Sequence, residues 1–367
     1  MKICHCTTVH PRDDVRVLHK QCVSLAEAGH DVILIVADGM GNENRKGVSI
    51  VDIGSFRSSR IKRITKANKL LFKKALKVNA DIYQLHDPEL LNVGKKLKKA
   101  GMKVVFDSHE DVPKQILYKS WLGPVWLRKI IANQYNRYEK KSVKKLDGLI
   151  SVIDEITVKF ECKNKVTLKN FPIVKSYKSH VKPFKQKKKQ LVYVGSLTHQ
   201  RGIIECIELM RYLPDEFLLA LIGGFHSDEF KEKCMRLPEW NKVDYYGFLK
   251  MDEVIPILAD SMLGLSVLHP EENYKTSLPT KGFEYIAAGT PVVLSDFEYW
   301  RPYFEGCGAF VEPKNSKRIA EECMGLITTE EVYDSLQVKC VQKAELYSWE
   351  SEFQKLLSFY DKIISDN

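Results

Sequence analysis

The chain has no apolar run approaching the roughly 20 residues needed to cross a bilayer. Its first residues, MKICHCTTVHPRDD, pass from a short strand into polar positions without the apolar core of a signal peptide. Both absences predict a cytoplasmic location. The nine cysteines are odd in number and follow no repeating frame, which argues against a disulfide scaffold and for reduced thiols. Cys4 and Cys6 alternate along one strand and need no metal, and no Cys/His group has the spacing of a zinc site. The basic runs lack interleaved aromatic platforms and a helix-turn-helix pattern, so the net charge of +10 does not by itself point to nucleic acid.

What is present is ordinary for a globular protein, with 44% hydrophobic and 28% charged residues over 367 positions, long enough for two domains. The positive charge is concentrated. Arg60 to Val78 places Ile61, Ile64, Leu71, Ala75 and Val78 at helical spacing with lysines and arginines on the other faces. Such a basic amphipathic helix is either a surface helix with its stripe in the core or a contact with anionic lipid headgroups. A second basic run, Lys175 to Lys189, contains Pro183 and little apolar content, and reads as a positive linker.

On both sides of that linker β-rich and helical segments alternate, the grammar of parallel βα units in an α/β fold. Lys2–Cys6, Val32–Val36, Asp81–His86, Lys103–Asp107 and Gly148–Val152 are the clearest strands of the first half. Gln190–Gly195, Phe217–Ile222, Leu263–Val267 and Pro291–Leu294 are those of the second. The predicted domains are residues 1–175 and 176–348, with a terminal helix, 349–367, packing back on the first.

Ligands of parallel sheets bind beyond the carboxyl ends of the strands. Gly195-Ser-Leu-Thr-His-Gln-Arg201-Gly202 turns from a strand into a helix through two glycines. Glycine admits close backbone approach, the helix start offers free N–H groups, and Arg201 adds a charge suited to phosphate oxygens. The segment Asn273 to Pro291 combines a polar loop, Pro279 at a helix start, Lys281, Glu284 and the stop residue Gly289. A carboxylate at Glu284 can accept both hydroxyls of a ribose, and Lys281 can neutralise a diphosphate.

With these residues the chain resembles the retaining glycosyltransferases of family 4, of the surface-polysaccharide and lipid-linked glycan type. The resemblance rests on Gly195…Arg201-Gly202, on Pro279-x-Lys281-x-x-Glu284-Tyr-x-Ala-Ala-Gly-x-Pro-Val-Val, and on Tyr347-Ser-Trp349 before the last helix. It implies the GT-B architecture, two facing Rossmann-like domains with a cleft. It further implies that Glu284 holds the donor ribose, that Gly195, Ser196, Arg201 and Lys281 surround the diphosphate, and that Thr276, Ser277, Leu278, Pro279 and Thr280 meet phosphate and sugar. Two positions depart from the pattern. Thr276 stands where many members have a sugar-binding glutamate, with Glu271 and Glu272 too early to replace it, and Ser196 stands where many have an arginine.

In the first half, Leu85-His86-Asp87-Pro88-Glu89 and Phe106-Asp107-Ser108-His109-Glu110-Asp111 each follow a strand. The resemblance places the active-site histidine at His109; His86 and Asp87 are further candidates, and Glu110 is a candidate base. After the first strand, Arg12 or Arg16 is expected to serve phosphate or acceptor, while Asp13 or Asp14 equally well caps the first helix. No Asp-x-Asp pair follows a strand, so no metal and no cofactor is expected.

The expected activity is metal-independent transfer of a hexose or N-acetylhexosamine from a nucleoside diphosphate sugar, with UDP favoured, to a saccharide hydroxyl, with retention. A lipid-linked acceptor and peripheral contact with an anionic membrane suit the basic helix. The alternatives are a sugar-nucleotide epimerase, an inverting transferase of the same fold, and a non-catalytic sugar-nucleotide or nucleic-acid binding protein.

Overall fold

A computed structural model describes residues 1–56 and 63–366. The chain divides into two compact units, Met1–Asn170 with Glu352–Asn367, and Phe171–Ser351. In the first, eight strands follow the order β3-β4-β2-β1-β5-β6-β7-β8. They are β1 Lys2–Cys6, β2 Asp31–Val36, β3 Glu43–Arg45, β4 Val48–Asp52, β5 Ile82–Leu85, β6 Lys103–Ser108, β7 Gly148–Ser151 and β8 Asn164–Thr167. All neighbours are parallel except the short β3 against β4. Helices cover the sheet, so the central strands are nearly continuous apolar runs, as in Ile82, Tyr83 and Leu85.

The second unit carries six parallel strands in the order β11-β10-β9-β12-β13-β14. These are β9 Lys188–Val194, β10 Leu218–Ile222, β11 Val243–Gly247, β12 Ser261–Ser266, β13 Val292–Ser295 and β14 Gly308–Val311. In each sheet the strand order reverses beside the first strand, at β1/β5 and at β9/β12. The loops leaving those strands diverge to opposite sides and open a crevice, which is where such sheets bind ligands.

Two expectations change. Residues Arg60, Ile61 and Lys62 of the predicted basic helix lie outside the described residues. The rest runs as Arg63–Ala67 and Asn68–Val78, with Leu71 and Ala75 buried but Ile64 exposed. Its first turn is wound in wider π geometry, which shifts the side that Ile64 presents. The basic run Lys175–Lys189 is not an extended solvated linker. It contains a helical turn at Lys175–Lys178 and enters β9 at Lys188. Lys187 within it is buried and donates to Ala259 O, Ser261 O and Thr290 Oγ1 at 2.8, 3.1 and 3.3 Å.

The terminal helix Trp349–Ser365 starts in the second unit and ends in the first. There Phe359 fills the space above Gly148, where a Cβ would lie 2.6 Å from the ring. The Tyr360 hydroxyl donates to Gln84 Oε1 beneath the end of β5.

Candidate active site

In the second unit the end of β9 brings together the glycine turn and two cations. Gly195 sits at φ 131°, and a Cβ there would lie 3.4 Å from Arg201 Nη1 and 3.5 Å from Lys281 Nζ. Both positive groups therefore converge on a patch of bare backbone. Gly202 keeps this geometry tight, since a Cβ on it would stand 2.0 Å from the carbonyl oxygen of Val267. Lys281 is buried, with its ammonium 3.7 Å from the centroid of the Tyr193 ring and no hydrogen-bond acceptor. Burial first, and Arg201 second, push its pKa well below the ordinary lysine value, whereas Glu284 pulls the other way. A desolvated cation of this kind is satisfied by an anion.

The helix Thr280–Ala287 presents that lysine and Glu284 from successive turns, and no side chain caps its N-terminus at Pro279. Its first N–H groups are left for a ligand or water. The preceding loop is pinned by Trp300 Nε1, which donates to Ser277 O at 2.6 Å, and Leu278 packs on the core. Thr276 is exposed, and its hydroxyl donates back to Glu272 O at 3.0 Å. Ser196 contributes its carbonyl to the Tyr193 hydroxyl at 3.1 Å. Behind the turn, His269 Nε2 meets Glu205 Oε1 at 2.8 Å, and His269 N donates to Gln200 O at 2.9 Å, which braces the Arg201 loop. Tyr193 and the His269–Glu205 brace carry no motif in the sequence; only their burial around Lys281 and Arg201 reveals them.

In the first unit the ends of β1, β5 and β6 assemble a histidine cluster around a buried carboxylate. His5 Nδ1 lies 2.9 Å from His86 Nε2, and His86 Nδ1 lies 3.3 Å from His109 Nε2. Asp107 Oδ2 stands 3.4 Å from the same His86 nitrogen and 3.3 Å from that of His109. His10 packs against His109 at a tilt of 48°, with centroids 4.7 Å apart, and faces Asp14 and Asp87. Burial pushes His86 down to about 4, outweighing the pull of Asp107, so it is neutral at physiological pH. Burial also works against charge on Asp107. Arg16 and His109 overcome it and hold the carboxyl well below its usual range.

Several predicted residues have other roles in this cluster. Arg16 is not free for phosphate: it pairs with Asp107 at 3.1 Å and donates to Leu168 O at 3.0 Å. Arg12 is likewise committed, to Asp38 at 2.6 and 2.8 Å and to Glu43 at 2.8 Å. Both guanidiniums are thus held by acids of the first unit. Asp14 is the helix cap, accepting from Arg16 N and Val17 N. Asp87 is buried and gathers the loop after β1, accepting from Thr7 Oγ1, Thr8 N, Thr8 Oγ1 and Val9 N. Glu110 is exposed and bound by the side-chain amide of Gln115, whereas His109 faces Asp107. The carboxylate closest to a catalytic arrangement is therefore Asp107, to which the sequence reading gave no role.

Among the described residues, His86, Asp107 and His109 could offer a metal three ligand atoms within 4.8 Å of one another. Asp107 is already engaged by the Arg16 guanidinium and by the amides of Gln21 and Gln84 at 2.6 and 3.2 Å. That donor set is satisfied as a hydrogen-bond network and fits a cation poorly.

A family model described as glycosyl transferases group 1 matches residues 175–345. No curated protein sequence matches the chain significantly. Among solved structures it is similar to a sucrose-phosphate synthase from Thermosynechococcus elongatus, 13% identical across all of both chains with a TM-score of 0.72. It is also similar to a glycosyltransferase from Rickettsia africae, 15% identical over 100% of this chain and 99% of that one, with a TM-score of 0.75. An Anabaena protein in complex with UDP and glucose is 13% identical over 99% of this chain and 100% of its own, with a TM-score of 0.67. At such identities the likeness is one of fold. Residues 175–345 thus match a model of glycosyl transferases group 1, and the chain has the GT-B fold of these structures.

Proposed function

We propose that the chain transfers a hexose or N-acetylhexosamine from a nucleoside diphosphate sugar, UDP being the favoured nucleotide, to a saccharide hydroxyl with retention of configuration. The observation that carries this reading is the buried, acceptor-less ammonium of Lys281 converging with Arg201 on Gly195. Two fixed cations beside bare backbone suit a diphosphate, and Glu284, one turn along the same helix, suits the ribose hydroxyls. As the bond from sugar to diphosphate loosens, charge grows on the leaving oxygen. Lys281, Arg201 and the N–H groups of the first helical residues, Thr280 and Lys281, stabilise that charge more than they stabilise the bound donor. With these cations supplying the charge, the donor site works without a metal.

On the acceptor side the group best placed to take a proton is His109, held by the ionised Asp107 and the neutral His86. Asp107 fixes the orientation of the ring for that transfer. A lipid-linked saccharide in surface-polysaccharide synthesis is the acceptor class favoured, and no helix among the described residues is long and apolar enough to cross a membrane.

The test is the melting temperature measured against a panel of nucleotide sugars, with EDTA and with Glu284→Ala. A rise with one UDP- or GDP-sugar that survives EDTA and vanishes in the variant supports the reading. No rise with any donor overturns it.

A further inference from the structure

One surface of the first unit is left unexplained by the sites above. The segment Val112–Tyr118, the turn Ser120–Leu122 and the start of the helix Val125–Val143 form a hairpin. Arg128 Nη1 donates to Leu117 O and ties its two arms together. Tyr118, Trp121 and Trp126 are 75%, 72% and 64% exposed, and Leu117, Val125 and Ile130 are exposed beside them. Between Val112 and Tyr138 the chain has Lys114, Lys119, Arg128, Lys129 and Arg137 but no acidic residue. A cavity of about 340 Å³ opens on the same hairpin and shares Lys114, Leu117 and Lys129 with it.

We propose that this hairpin is the surface by which the protein docks on an anionic lipid bilayer. A protein-binding patch of this size is expected to be depleted in lysine, whereas Lys114, Lys119 and Lys129 stand among the exposed rings. Exposed tryptophan and tyrosine among lysines and arginines match the interfacial zone instead; the one carboxylate lining the cavity, Asp111, is paired with Lys159 at 3.0 Å. The rings enter the headgroup boundary, and the cations meet lipid phosphates, with Lys114 and Lys129 at the cavity mouth. The basic helix Asn68–Val78 is a poorer candidate, because Leu71 and Ala75 of its apolar stripe are already used in the core. The inference rests on the membrane-bound acceptor of the proposed function, and relocates the contact.

The experiment uses the full chain with vesicles of phosphatidylcholine alone or mixed with phosphatidylglycerol, some carrying brominated acyl chains. Flotation is compared for wild type, Trp121→Ser/Trp126→Ser, and Lys66→Glu/Lys69→Glu/Lys73→Glu. The expected result is binding to anionic vesicles at low salt that weakens roughly tenfold or more in the tryptophan variant and less in the lysine variant. Brominated lipid is expected to quench wild-type fluorescence and to leave the tryptophan variant, which retains Trp240, Trp300 and Trp349, unquenched. Quenching in the wild type does not depend on any variant folding. Equal binding by the tryptophan variant, loss only in the lysine variant, or absence of quenching overturns the proposal. So does self-association without vesicle binding that disappears with the tryptophans, which would give the patch to a second copy of the chain. Vesicle binding with no donor response leaves this inference standing and the donor reading fallen; the reverse outcome separates them the other way.

Discussion

The ammonium of Lys281 stands 3.7 Å from the centre of the Tyr193 ring and has no hydrogen-bond acceptor. The ring face offers some compensation for a desolvated cation, but burial and Arg201 still lower its proton affinity. A bound diphosphate reverses that balance. Donor binding at mildly alkaline pH is therefore expected to take up a proton onto Lys281. Calorimetric titrations in buffers of different ionisation enthalpy measure this uptake, and Lys281→Met should abolish it.

Gly195→Ala should weaken both donor binding and the fold. The added methyl enters the space shared by Arg201 and Lys281, at 3.4 and 3.5 Å from their nitrogens, and a φ of 131° is strained for alanine. The expected stability loss is about 1–2 kcal/mol, with a donor affinity at least roughly tenfold lower. Melting curves and donor titration of the same sample separate the two.

Asp107→Asn removes the charge that pairs with Arg16 and faces two histidines. Leaving the buried guanidinium uncompensated should cost about 3–5 kcal/mol in denaturant unfolding. In protein that remains folded, donor binding at the second unit should be unchanged while transfer to acceptor falls. A fall in donor binding instead would place Asp107 outside the acceptor machinery.

Glu139, on the helix Val125–Val143, is buried beside Lys159 at 3.5 Å, and burial raises its pKa from 4.5 to about 7. The native state keeps this proton to higher pH than the unfolded chain does. Stability from the neutral carboxyl is thus complete below pH 4.5 and is lost as pH rises through about 7. Glu139→Gln should match wild type at low pH and exceed it by roughly 1–3 kcal/mol above neutrality. Urea melts across that window measure the difference.

Much of this architecture is legible in the sequence, because the central strands are buried on both faces and read as apolar runs. Lys2–Cys6 matches to the residue, and Lys103–Asp107 and Gly148–Val152 to within one. The strands that escape reading include all four at sheet edges, β3, β8, β11 and β14, where one side meets solvent and the apolar pattern thins, as in Glu43-Asn44-Arg45. The proposed donor residues Gly195, Arg201, Lys281 and Glu284 announce themselves through a glycine turn and a helix start. Asp107 does not, since nothing local tells a buried carboxylate from an exposed one. Arg12 and Arg16 look like phosphate ligands until the fold brings Asp38 and Asp107 against them. The exposed Trp121 and Trp126 are invisible for the opposite reason, because apolar residues on an amphipathic segment read as core.

The most direct test of the donor site is calorimetric titration of wild type and Lys281→Met with UDP and the responding UDP-sugar in the presence of EDTA. Binding by wild type that falls roughly 10- to 100-fold in the variant, at unchanged melting temperature, is the predicted result. Equal affinity in the two proteins, or wild-type binding that requires a divalent metal, would contradict it.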